Sequence, residues 1–245
     1  MSRKRAWLIP LLLLAATLAL FEVTDLDLAL ADLFYSAARH EWLVPKKSVP
    51  PRVLLYHGPK VLLIAFGAWL LLSIVLPRSW AVRKYLSRRP ARELFYVLLC
   101  LGLFPAFISG LKKAPGMHCP SELRRYGGEH AYRKLFSPRP TDSHARGRCF
   151  PAGHASGGFA LLALAFVAGT DQARKRALAL GLGAGSAMGL YQMLNGAHFL
   201  SHTLVTMLLA WLFTQTLANF LLANGREGNA PKAIGSLPKE AVMPN

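Results

Sequence analysis

The chain has 245 residues, 53% hydrophobic and only 17% charged, with 29 lysines and arginines against 12 acids. Runs of roughly 17–25 apolar residues recur, each long enough to cross a bilayer as a helix, which excludes an ordinary soluble fold and a disordered chain. The net charge of +17 falls between these runs, not along one amphipathic face, so anionic lipid headgroups are the expected polyanion and nucleic acid is not.

In chain order, Arg3-Lys4-Arg5 precedes a first apolar run over about 6–22. A signal peptide shares this profile, but Phe21-Glu22-Val23 offers no small-residue cleavage site, so an uncleaved span is expected. Residues 23–58 alternate Asp25, Asp27 and Asp32 with leucines. They read as a short amphipathic helix at the membrane surface followed by a Pro-rich link at Pro45, Pro50 and Pro51, with an ordinary connector as the plainer alternative. Further spans are expected over about 59–77, 93–110, 154–170, 177–194 and 198–223. The stretch 78–92 carries six basic residues and no acid, and the polar segment 111–150 is too charged to lie in lipid. Gly181, Gly183, Gly185 and Gly189 in the fifth span allow close helix contact. The whole is an all-α, six-helix membrane bundle, one domain over 1–223, with an extracytoplasmic loop between spans three and four and a flexible cytoplasmic tail over 224–245.

Six spans put both termini on one side. Basic residues divide almost evenly, 15 on the terminal side and 14 on the other. The compact clusters flanking the first three spans favour cytoplasmic termini. The nine basic residues of 111–150 then lie outside, where binding of phosphate would account for them.

Three clusters fall at that outer face. Lys112 closes span three and is followed, after six residues, by Cys119-Pro120. Pro151-Ala152-Gly153-His154 opens span four. His198-Phe199-Leu200-Ser201-His202 opens span six. Each alone is ordinary. A lone histidine at an interface is usually structural, a lysine at a span end usually snorkels, and histidines at i and i+4 share a helix face that serves a metal, a haem or simple packing. A helix start behind a glycine, however, offers free amides to an anion, and the topology brings all three clusters together.

Together they resemble the type 2 phosphatidic acid phosphatase superfamily, whose motifs read Lys-x6-Arg-Pro, Pro-Ser-Gly-His and Ser-Arg-x5-His-x3-Asp. Lys112 and Pro120 match the first, Pro151, Gly153 and His154 the second, and His198 the third. Four positions depart: Cys119 and Gln192 stand where the family has arginine, Ala152 where it has serine, and His202 where it has aspartate. Arg148 and Arg125 are the candidates to replace the missing guanidinium groups, since arginine binds phosphate oxygens in pairs.

The resemblance implies an integral membrane enzyme, a hydrolase of a lipid phosphate or diphosphate with its site in the periplasm of a bacterial inner membrane, needing no cofactor and no metal. His198 would form a phosphohistidine and His154 would protonate the leaving oxygen. Lys112, Gly153 and an arginine would hold the phosphoryl oxygens, and His202 would fix the tautomer of His198. The expected partners are a phosphorylated membrane lipid and anionic headgroups. A lipid phosphotransferase, a degenerate site that only binds lipid phosphate, and a metal or haem protein built on His154, His198 and His202 are the other readings. Cys119 and Cys149 lie in the outer segment, where an oxidising periplasm favours a disulfide; two free thiols are the alternative. Such a bridge would close about 30 residues, worth roughly 3–4 kcal/mol by chain entropy. The basic residues over 124–148 read as headgroup attraction or as a plain solvated loop, Tyr126-Gly127-Gly128 as a turn, and His118, His130 and His144 as loop surface.

Overall fold

The computed structural model describes residues 3–77, 79–80, 87–112, 114–138 and 147–222. The tail expected over 224–245, the cluster Arg83-Lys84, and Arg78, Lys113, Arg139, His144 and Arg146 lie outside the described residues. Among the described residues the chain is all-α apart from one two-residue strand pair.

Helix α1 spans Arg3–Val23 and α2 spans Leu26–Leu33, with a bend of 77° between them. A short hairpin follows, β1 (Tyr35–Ser36) against β2 (Glu41–Trp42), antiparallel with Tyr35 opposite Trp42. α3 (Val49–Arg52), a π turn at Val53–His57 and α4 (Gly58–Val75) form one 27-residue helical run. α5 covers Ala91–Leu111. α6 (Gly153–Ala160) continues as 3-10 helix over Leu161–Phe166, and α7 (Asp171–Leu194) and α8 (Leu200–Leu222) complete the bundle.

Among the described residues four helical runs are long and apolar enough to cross a membrane, five if the bent pair α1–α2 counts as one. The chain is an integral membrane protein by these helices. The six expected spans each meet a helix, but the fourth is short. Gly153–Phe166 rises about 24 Å, against a hydrocarbon core of about 30 Å. Its position explains its composition. α6 lies against α4, α5, α7 and α8, and Ala155, Phe159 and Ala160 are fully buried beside Phe104 and Ile108 of α5 and Ala210 of α8. A helix enclosed by protein need not match the lipid thickness.

Glycine sets the closest of these contacts. A Cβ on Gly185 would lie 2.2 Å from the ring of Phe159, and one on Gly189 would lie 2.4 Å from the side chain of Thr203. Gly181 also meets α6's continuation at Leu162, whereas Gly183 faces open space. α7 starts cleanly because the Thr170 side chain accepts from the amide of Ala173 at 3.2 Å and Asp171 stands at the positive end of the helix.

Two expectations need correction. Pro50 and Pro51 do not lie in a link; they occupy the first turn of α3, where a missing N–H leaves nothing unsatisfied. The second span therefore begins about ten residues earlier than Pro59. Pro59 itself cannot donate within that run, and the π turn just before it loosens the ladder. The second correction concerns α2. Asp27 does not face solvent: it is buried and accepts from the amide of Ser201 at 3.0 Å and from the Ser201 hydroxyl. A carboxylate from α2 thus caps α8 from outside.

Candidate functional site

The C-terminal end of α5, the start of α6 and the turn before α8 meet at one end of the bundle. Lys112 follows the last turn of α5. Gly153 begins α6, and a Cβ there would sit 2.9 Å from both Cε and Nζ of Lys112. The missing side chain is what lets the ammonium lie against the start of α6. His154, next along α6, has its ring centre 6.2 Å from that of His198. His198 and His202 have ring centres 5.6 Å apart and Nδ1 atoms 3.4 Å apart. The sequence clusters therefore converge.

His198 lies in the turn between α7 and α8, and burial pushes its pKa well below the ordinary histidine range, helped by the positive charge of Lys112 and the neighbouring rings of His202 and His154. Both effects favour the neutral ring. Burial also lowers the pKa of Lys112. Among the described residues no carboxylate forms an ion pair with this half-buried lysine. Among the described residues the buried atoms His154 Nδ1 and His202 Nε2 have no protein hydrogen-bond partner.

Each position that departs from the phosphatase motifs is tied into the scaffold. Cys119 and Cys149 form a disulfide, Cα atoms 5.1 Å apart, joining the first cluster to the second. Cys149 Sγ stands 3.4 Å from Nδ1 of His198. The amide of Ala152 donates to Thr206 Oγ1 at 2.9 Å, and that hydroxyl donates to the carbonyl of His202 at 2.8 Å, so α8 holds the start of α6 directly. The carbonyl of Gln192 accepts from the amides of Ala197 at 2.8 Å and His198 at 3.2 Å, while its side chain accepts from Asn195. The turn carrying His198 is further clamped at Gly196. Its φ of +71° suits glycine, a Cβ would strike the Trp42 indole at 2.2 Å, and its carbonyl accepts from Ser121 at 2.9 Å.

The two candidate arginines differ. Arg148 is exposed and adjoins Cys149. Arg125, expected at the phosphate, instead grips Asp32 with Nε at 2.8 Å and Nη2 at 2.6 Å, and Tyr126 donates to the same carboxylate at 2.9 Å. That bidentate pair leaves its guanidinium committed elsewhere. Gly127 takes φ +85° in the expected turn, and His118 and His130 stack at 3.7 Å in the loop.

Three residues escaped the sequence reading. Tyr56, on the π turn, places its ring 4.6 Å from His154, and Lys60 follows one turn on in α4. Asp27 braces α8. Nothing at Tyr56 or Lys60 flags them in sequence, because a break in helical register sets their direction. Asp27, an acid set among leucines, did carry a signal.

A family model described as the PAP2 superfamily matches residues 93–226, more than half of the chain. The match includes all three clusters. No curated protein and no solved structure matches the chain.

Proposed function

Because the chain belongs to the PAP2 superfamily, whose members are phosphatases, we propose that it hydrolyses a lipid phosphate or diphosphate through a phosphohistidine at the outer face of the membrane. The observation that carries this reading is the ammonium of Lys112 at the start of α6, which no carboxylate among the described residues pairs, beside the half-buried ring of His154 and the buried ring of His198. An anion there would meet a cation, free helix-start amides and the positive end of the helix at once.

The chemistry follows from the ring positions. His198 keeps its proton on Nδ1 and donates it toward Nδ1 of His202, leaving the Nε2 lone pair to attack phosphorus. The bond from phosphorus to the lipid oxygen breaks, and His154, entering the step as its imidazolium beside the bound phosphate, gives that oxygen a proton and is left neutral. In the second half His154 takes a proton from water, whose oxygen displaces Nε2 from phosphorus. Lys112, the amides at Gly153 and Arg148 stabilise the charge on the phosphoryl oxygens. A lipid is the fitting substrate because the site lies at the end of a bundle of apolar helices, and a disulfide beside it suits an oxidising compartment. The basic clusters flanking the first spans support cytoplasmic termini.

A purely binding, non-catalytic site is the weaker reading, since the positions of the altered motif residues are occupied by groups that brace the histidines. The test is phosphate release by the purified protein in detergent from a panel of lipid phosphates and diphosphates. Free phosphate distinguishes hydrolysis from transfer to a second lipid. His198→Ala is expected to abolish turnover, and full activity in that variant would remove His198 as nucleophile.

A further inference from the structure

Cys149, His198 and His202 bring one sulfur and two ring nitrogens within 4.8 Å of one another, all three residues buried. Two of the edges are short: Nδ1 to Nδ1 is 3.4 Å, and Sγ to Nδ1 of His198 is 3.4 Å. A tetrahedral zinc ion with ordinary bond lengths needs about 3.4 Å between two nitrogens and about 3.6 Å between nitrogen and sulfur. The two edges match that polyhedron. The third closes by rotation of the Cys149 side chain once its sulfur is no longer held by Cys119.

While the disulfide is intact, Cys149 has no thiolate to offer. We propose that opening the Cys119–Cys149 disulfide converts this end of the bundle into a zinc site, with Cys149, His198 and His202 as ligands and one position open to water or a phosphate oxygen. The burial of the two cysteines directs the opening. Cys119 is partly exposed and Cys149 buried, so a dithiol reductant attacks the Cys119 sulfur and Cys149 leaves as thiolate. The second thiol of the reductant then releases Cys119. The reductant ends as its own disulfide and the protein as two thiols. Zinc binds the Cys149 thiolate, and any proton on that sulfur passes to solvent.

The metal also inverts the histidine tautomer. Coordination takes the Nδ1 lone pair of His198, so the ring proton moves to Nε2, the atom that must be free to attack phosphorus. Zinc binding therefore stops phosphoryl transfer. This last consequence rests on the proposed function; the metal site rests on geometry alone.

The experiment uses the full chain in detergent, with cobalt(II) as the spectroscopic probe and zinc as competitor. Cys119→Ser leaves Cys149 free without a reductant, and Cys149→Ser removes the ligand while leaving Cys119 free. The oxidised wild type should show no thiolate-to-cobalt charge transfer. Wild type treated with a phosphine reductant, and Cys119→Ser untreated, should each gain that absorption, saturate at one equivalent and lose it on adding zinc. Cys149→Ser and His202→Ala should lack it. The proposal is overturned if reduced wild type and Cys119→Ser both stay silent, or if Cys149→Ser keeps the band. Phosphate release measured on the same samples separates the two claims. Cobalt or zinc bound with undiminished turnover would keep the metal site and overturn the inhibition, along with the role of His198 as nucleophile.

Discussion

The ammonium of Lys112 occupies the place where a side chain at position 153 would begin, 2.9 Å from an ideal Cβ. Gly153→Ala thus asks the flexible end of a lysine to move, not a helix. We expect phosphate release to fall up to about 100-fold, the lower end of the effect of losing one preorganised donor to a developing charge, because the lysine is displaced and not removed. The thermal midpoint in detergent should stay close to that of the wild type. A variant with wild-type turnover would detach Lys112 from the phosphate.

Legibility in the sequence followed the physics of each feature. The apolar runs marked the helices because hydropathy over about 20 residues reports span length directly. They could not mark α6 as short, since enclosure by α4, α5, α7 and α8 depends on partners far along the chain. Lys112, His154 and His198 were readable because motif spacing fixes which helix end each occupies. The environment of each altered motif position was not readable. Gln192 works through its main-chain carbonyl, and Ala152 through an amide bonded to Thr206, and main-chain bonding leaves no trace in residue type. Arg125 and Arg148 looked alike in sequence, and only the position of Asp32, 93 residues away, separates them.

His202 stands 3.4 Å from His198, nitrogen to nitrogen, where the family pattern has a carboxylate. A neutral ring orients its neighbour but adds no charge to stabilise the imidazolium formed as phosphorus leaves lipid oxygen. His202→Asp should raise kcat about tenfold at neutral pH, and His202→Ala should lower it by a similar factor. Single-turnover rates on one lipid phosphate check both. A lower rate in His202→Asp than in His202→Ala would reject the orienting role.

The arginines give a sharper contrast. Asp32 holds Arg125 by two nitrogens, and this pair keeps the guanidinium charged and engaged. Arg125→Ala should leave kcat/KM within about twofold, as befits an exposed pair. Arg148→Ala should lower kcat/KM roughly tenfold or more through loss of a charge-assisted phosphate contact. Steady-state kinetics on the two variants decide it. The reverse ranking would return Arg125 to the phosphate and free Asp32 of its partner.

Asp27 links α2 to the first turn of α8 through the amide and hydroxyl of Ser201, so it supports the helix that carries His202. Asp27→Ala removes a cap and leaves two buried donors unmatched. The expected loss is about 1–2 kcal/mol, read as a lower unfolding midpoint in detergent. Asp27→Asn, which keeps one acceptor oxygen, should recover part of it. Equal stability in all three proteins would mean that α8 needs no outside cap.

The protonation of His198 provides the last test. Attack on phosphorus requires the neutral ring, and burial together with Lys112, His202 and His154 pushes the pKa of His198 well down. Activity should therefore persist as pH falls through the ordinary histidine value of about 6.5, with the acid limb below it. Lys112→Gln removes a positive charge that opposes the imidazolium. The ring then binds its proton at higher pH, and the acid limb shifts upward, whatever the fall in absolute rate. Comparing the two proteins on one substrate cancels the substrate's own titration. An acid limb that stays fixed in Lys112→Gln would place the lysine too far from His198 to act on it.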